Sequence, residues 1–185
     1  MNLTASSGFG RSFAKLGLVI VAAVALDAAG AASAMAAGKH APLGYQLMCL
    51  KNPRSPECNG GGKGEVKLTK DVMVTVARVN AQVNRKIQPK YDPAGRDVWT
   101  TNASAGDCED YVLTKRRALI KAGIPAGSLR IAYVKTRRGE DHAILVVKSN
   151  GRDIVLDNLT GSIKPLSQTG YRVISMSGAN PRYWS

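Results

Sequence analysis

Apolar residues recur at Val72, Val76, Val79, Val83 and Ile87, at steps of four, three, four and four. That spacing lays one stripe along a helix. Thr69 stands where an N-cap is preferred and Pro89 stops the pattern. Valine is a weak helix former, so this helix needs a core to pack against. A second helix is predicted from about Asp107 to Ala122, with Tyr111, Val112, Ala118, Leu119 and Ala122 on its apolar side. Gly123 suits the C′ position, and Pro125 blocks continuation. Beyond it the period changes. Leu129–Val134, His142–Val147, Asp153–Asp157 and Tyr171–Ser175 read as strands, and Asn150-Gly151 is a strong hairpin signal. Residues 38–66 read as irregular, with Gly60, Gly61, Gly62 and Gly64 as a flexible joint, and residues 89–106 as loop.

The first residues follow a different logic. Arg11 and Lys15 precede an apolar run of 11 residues, Leu16–Leu26, too short to span a bilayer and of the length of a signal h-region. Small residues follow, and Ala32-Ser33-Ala34 and Ala34-Met35-Ala36 each offer a cleavage site. An uncleaved anchor is the alternative, but Asp27 and Gly30 interrupt the run. The expected organisation is a signal peptide over 1–36, an N-terminal arm over 37–66 and one domain over 67–185. The expected location is the periplasm or the exterior.

Export changes how the three cysteines read. Cys49 and Cys58 lie nine apart in a segment turned by Pro53 and Pro56, so a disulfide between them would staple the arm. Cys108 is left over, as a reactive thiol, an intermolecular partner or an inert buried group. The net charge is +13, and removing residues 1–36 takes away Arg11, Lys15 and Asp27 to leave +12. Such a chain is drawn to anionic polymers: lipid head groups, acidic polysaccharide or an acidic protein. Nucleic acid is not expected, because the chain has two Phe, two Trp and no basic block with interleaved aromatics.

Cys108 sits in Gly106-Asp107-Cys108-Glu109-Asp110-Tyr111, at the predicted first turn of the second helix. A helix N-terminus carries about half a positive charge and favours thiolate. If Asn150-Gly151 closes a two-residue hairpin, Asp157 lies opposite Ile144. His142 then shares its face, as a diagonal neighbour. The imidazole can take the thiol proton and the carboxylate can fix its tautomer. Cys108, His142 and Asp157 are therefore the candidate catalytic residues. His40, the other histidine, adjoins the expected cleavage region. Asp107 and Glu109 would raise the thiol pKa unless they point away or a cation neutralises them. With Asp110 they could offer hard oxygens to Ca²⁺, or simply favour the helix N-terminus. Trp99 either packs over the helix or lines a cleft.

With these residues in hand, the chain resembles the bacterial transglutaminase-like cysteine peptidases. The resemblance spans roughly residues 41–184. It is carried by Ala41–Gln46 leading to Cys49, Trp99, Gly106–Tyr111, Asp141-His142-Ala143 and Val155–Asn158. It implies a papain-like, transglutaminase-like α+β fold with a nucleophile helix packed on an antiparallel sheet. Cys108 would be nucleophile, His142 base and Asp157 orienter. Trp99 and Asn158 are candidates for the cleft and oxyanion region, and the Cys108 N–H is one candidate oxyanion donor. Members of that family include periplasmic proteases that clip a large surface adhesin. Their acidic residues beside the nucleophile are implicated in calcium binding, which here means Asp107 and Glu109. The partners so implied are an envelope or surface protein substrate and an inhibitory membrane receptor. Acyl transfer to amines and a non-catalytic envelope-binding module are the competing readings.

Overall fold

The computed structural model describes residues 40–185, so the apolar run, the alanine-rich tract and the expected cleavage sites lie outside the described residues. The first described element corrects the expectation of irregular chain. Leu43–Lys51 forms a helix, α1. Its inward side is short, with only Gly44, Tyr45 and Met48 buried, so no long stripe marks it in the sequence. Tertiary contacts hold it. Cys49 is disulfide-bonded to Cys58, and the Tyr45 hydroxyl donates to the Glu57 carbonyl at 2.8 Å.

α2 spans Lys70–Lys86 and starts as expected, with Thr69 Oγ1 accepting the Val72 N–H at 3.3 Å. Val76, Val79, Val83 and Ile87 are buried along the stripe. The chain leaves the helix at Ile87 and pairs Gln88–Pro89 (β1) in parallel with Ala105–Gly106 (β2). α3 follows at once, Cys108–Lys121, and Gly123 takes a φ of 87° just beyond it. Its Arg116 is fully buried, yet its guanidinium donates to four carbonyls, those of Pro56, Asn59, Ala126 and Leu129. A buried guanidinium is tolerated only when its N–H groups are satisfied in this way. Here it ties the N-terminal arm to α3.

The remaining strands, β3 (Leu129–Lys135), β4 (Asp141–Val147), β5 (Ile154–Leu156), β6 (Lys164–Pro165) and β7 (Arg172–Met176), form one antiparallel sheet. Its order is β6-β5-β4-β3-β7. β4 lies at its centre, and every residue after Asp141 is buried, which explains an apolar run without alternation. Ala143, Leu145 and Val147 face the core shared with α2 and α3, while Ile144 and Val146 meet Leu166, Tyr171 and Met176 on the other side. Burying a leucine such as Leu145 contributes about 1.5–3 kcal/mol.

The hairpin register is the expected one, with Leu145 facing Leu156, Val146 facing Val155 and Val147 facing Ile154. The turn is not. Gly151 has a φ of 97°, but Asn150 does not adopt positive φ, so the type I′ turn is absent. Ser149 instead bridges to Val66 and bonds Asp153 and Arg152. The ladder therefore stops at Val147, and residues 148–153 form a wider loop.

Candidate active site

Cys108 is the first residue of α3, with Asp107 at the cap position. Gly106 is required just before it, because a Cβ there would run into the Asp110 carboxylate. Asp110 Oδ1 in turn accepts the Thr100 N–H at 2.7 Å and ties the Trp99–Ser104 loop to the helix. Burial pushes the Asp110 carboxyl up to about 6.

The Cys108 thiol is half-buried and donates to Glu109 Oε2 at 3.0 Å. Burial pushes its pKa well above the ordinary thiol value, and the Glu109 and Asp107 carboxylates push the same way. The backbone N–H of Ala143 opposes them by hydrogen-bonding the sulfur. The helix N-terminus alone therefore does not give the low thiol pKa expected from its position. Two carboxylates and a low-dielectric setting outweigh half a charge.

His142 and Asp157 meet as the register requires. The His142 Nε2–Asp157 Oδ1 distance is 2.9 Å, and both side chains are almost fully buried. The Asp157 carboxylate accepts two further hydrogen bonds, from the Tyr171 hydroxyl at 2.6 Å and the Leu159 N–H at 3.0 Å. Burial by itself would raise its pKa, but these bonds outweigh it and hold the carboxyl below the usual range. The Tyr171 ring also stands edge-on to the imidazole, 5.8 Å between centroids. From α2, Asn84 Nδ2 donates to the Asp157 carbonyl at 2.8 Å. Tyr171, Asn84 and the Ala143 N–H are members of this site that sequence spacing did not reveal. Tyr171 opens the last predicted strand, but nothing local points it at Asp157.

Two cavities meet at Cys108, Glu109, Asp141 and His142. One, of about 520 Å³, is walled by Pro42, Asp97, Trp99, Tyr133 and Ile174. The other, of about 600 Å³, is walled by Lys90, Tyr91, Asp107, Asn158 and Leu159. Trp99 thus lines the first cavity and Asn158 the second. Trp99 also packs edge-on against Tyr45 of α1. A larger cavity of about 790 Å³ shares only Trp99 with the first and contains none of the three candidate catalytic residues.

Asp107 and Glu109 suit a hard cation. Asp107 Oδ1 is buried with no hydrogen-bond partner. Burial and the adjacent Asp107 push the Glu109 carboxyl up to about 8. Among the described residues no group of three or more His, Cys, Asp or Glu could hold a metal, so a bound ion would complete its shell with carbonyls and water.

A thiol at a helix start, a buried imidazole–carboxylate pair and an open cleft define a thiol-enzyme class. Residues 35–185 match the model of the bacterial transglutaminase-like cysteine proteinases, and the chain belongs to that family. No curated protein sequence matches it. Among solved structures it is similar to calcium-bound LapG of Legionella pneumophila, at 24% identity and a TM-score of 0.54, covering 58% of this chain and 66% of that one. A second LapG structure and an EGTA-treated one each give 24% identity and a TM-score of 0.53. Each covers 58% of this chain, with 64% and 63% of LapG. The chain thus spans just under two thirds of the LapG chains it matches, and the likeness shows a shared fold.

Proposed function

We propose that this chain is an exported cysteine endopeptidase with Cys108 as nucleophile, His142 as general base and Asp157 as its orienter. The observation that carries the reading is the buried His142–Asp157 pair at 2.9 Å, opening on the cleft that Cys108 lines. In this mechanism His142 takes the thiol proton as sulfur attacks the peptide carbonyl. The S–C bond forms, and the oxyanion is met by backbone N–H groups near Cys108. His142 then gives its proton to the departing amine as the C–N bond breaks. Water, deprotonated by His142, attacks the thioester, and the C–S bond breaks to free the acid and the thiol. Asp157 keeps the ring in one tautomer and supports its charged form.

The substrate is an envelope or surface protein, with a large adhesin as the specific expectation. Family membership supports this, as do the apolar segment at residues 16–26 and the Cys49–Cys58 disulfide, which suits an oxidising compartment. Asp107 and Glu109 would hold calcium. Bound there, it would supply positive charge against the two carboxylates that now disfavour the thiolate. That LapG has a calcium-bound form supports a role for calcium here.

The test is to incubate an envelope protein fraction with wild type and with Cys108→Ala, and to read new N-termini by mass spectrometry. Wild type should create them, less so with chelator, and a folded Cys108→Ala should create none. Cleavage by the alanine variant overturns the reading. Incorporation of a labelled primary amine without new N-termini would reassign the site to acyl transfer.

A further inference from the structure

Asp97 links three parts of the molecule. Its Oδ2 accepts the Gly44 N–H at 2.8 Å, in the first turn of α1. Its Oδ1 accepts the Trp99 indole N–H at 2.7 Å. Gly44 is the residue that permits this approach, since a Cβ there would collide with the Asp97 carbonyl and carboxylate. The indole packs edge-on against Tyr45 at 5.3 Å, and Tyr45 packs against Trp184 at 5.6 Å. The arm is held to α3 by the Glu57–Arg117 ion pair and stapled by the disulfide. Trp99 is only 5% exposed, and it lines the 520 Å³ cavity that ends at Cys108 and His142. Pro42, Tyr133 and Ile174 supply apolar surface to the same cavity, with His40 and Ser175 beside them.

We infer that the N-terminal arm is one wall of the substrate cleft. Trp99 contacts an apolar side chain of the bound polypeptide on one side of the scissile bond, and Asp97 is the positioning residue that latches the indole to α1. The inference rests on the cysteine endopeptidase reading. The physical reason is pre-organisation: an indole held by a hydrogen bond and an aromatic contact loses little freedom when substrate arrives. Released, it would no longer align the peptide with the thiol.

The test uses the full chain and two kinds of thiol reagent. Iodoacetamide needs no cleft wall. A series of peptidyl chloromethyl ketones, varied at the residue next to the reactive group, does. Asp97→Ala should slow the peptidyl reagents by roughly tenfold or more and flatten the selectivity of the series, with the iodoacetamide rate within about twofold of wild type. Asp97→Asn keeps one acceptor and should recover part of the selectivity. If Asp97→Ala does not fold, Asp97→Asn alone carries the comparison, with a smaller loss of selectivity expected and the iodoacetamide rate as the control. Unchanged selectivity, or an equal fall with both reagents, overturns the latch while leaving the endopeptidase reading standing. A wild-type thiol without preference in the series, alkylated like a free cysteine, overturns both.

Discussion

Tyr171→Phe removes one hydroxyl and keeps the ring that stands against His142. That hydroxyl donates to Asp157 Oδ2 at 2.6 Å, one of three donors to a carboxylate only 2% exposed. A hydrogen bond to an ionised group contributes about 1.5–3 kcal/mol. Losing it should therefore raise the native Asp157 pKa. Asp157 is held below its ordinary value in the folded protein. Its stabilisation is therefore present above the unfolded pKa of about 3.9 and is lost as pH falls through the native value. The substitution should move that loss to higher pH and lower stability at pH 7 by about 1.5–3 kcal/mol. With a urea slope of about 1–3 kcal/mol/M, the midpoint should fall by about 1 M. Urea unfolding at pH 7, and at the most acid pH where wild type is still folded, reads both effects. The gap between the proteins should be large at pH 7 and shrink in acid. Equal midpoints at pH 7, or a gap that ignores pH, would refute the assigned role of the hydroxyl.

Glu109→Gln removes the carboxyl that accepts the Cys108 S–H and that, once ionised above about pH 8, adds to the effect of burial on the thiol, so iodoacetamide should alkylate Cys108 faster at about pH 9. An unchanged rate would mean that burial and Asp107 set the thiol without Glu109. Glu57 is fully buried against Arg117, whose guanidinium donates to both carboxylate oxygens. Burial opposes its ionisation, but Arg117 and Ser55 outweigh burial and hold its pKa down. Glu57→Gln should cost about 3–5 kcal/mol at pH 7, read by thermal melting, and this difference should fade as pH drops through the native Glu57 pKa. Lys115 is fully buried, and burial lowers its pKa to about 7 against a weaker pull from Asp157. Between there and the unfolded value of about 10.4 the unfolded chain binds the extra proton, so stability should rise with pH. Lys115→Met should flatten that slope, measured by denaturant unfolding at pH 7 and 9, and a slope identical to wild type would place the ammonium in water.

Repeating local pattern made α2, α3 and the strands legible in the sequence, because period, caps and breakers act within a few residues of each other. The Thr69 cap, the Gly123 stop and the pairing of Val147 with Ile154 are all of this kind. The His142–Asp157 pair was legible for the same reason: a correct register across one hairpin carries side-chain faces with it. It survived a wrong turn type, since a wider loop can join the same paired strands.

What lay beyond that range depended on tertiary structure. α1 has too short a buried face to show a period, and contacts distant in sequence hold it, among them the Gly44 N–H bonded to Asp97, 53 residues further on. Tyr171 and Asn84 reach Asp157 from another strand and another helix. The state of Cys108 is the sharpest case. Sequence placed the thiol at a helix N-terminus and named both neighbouring acids. Only the folded arrangement decided that burial and Glu109 would oppose the helix field, because the strength of a charge interaction depends on distance and on the water excluded around it.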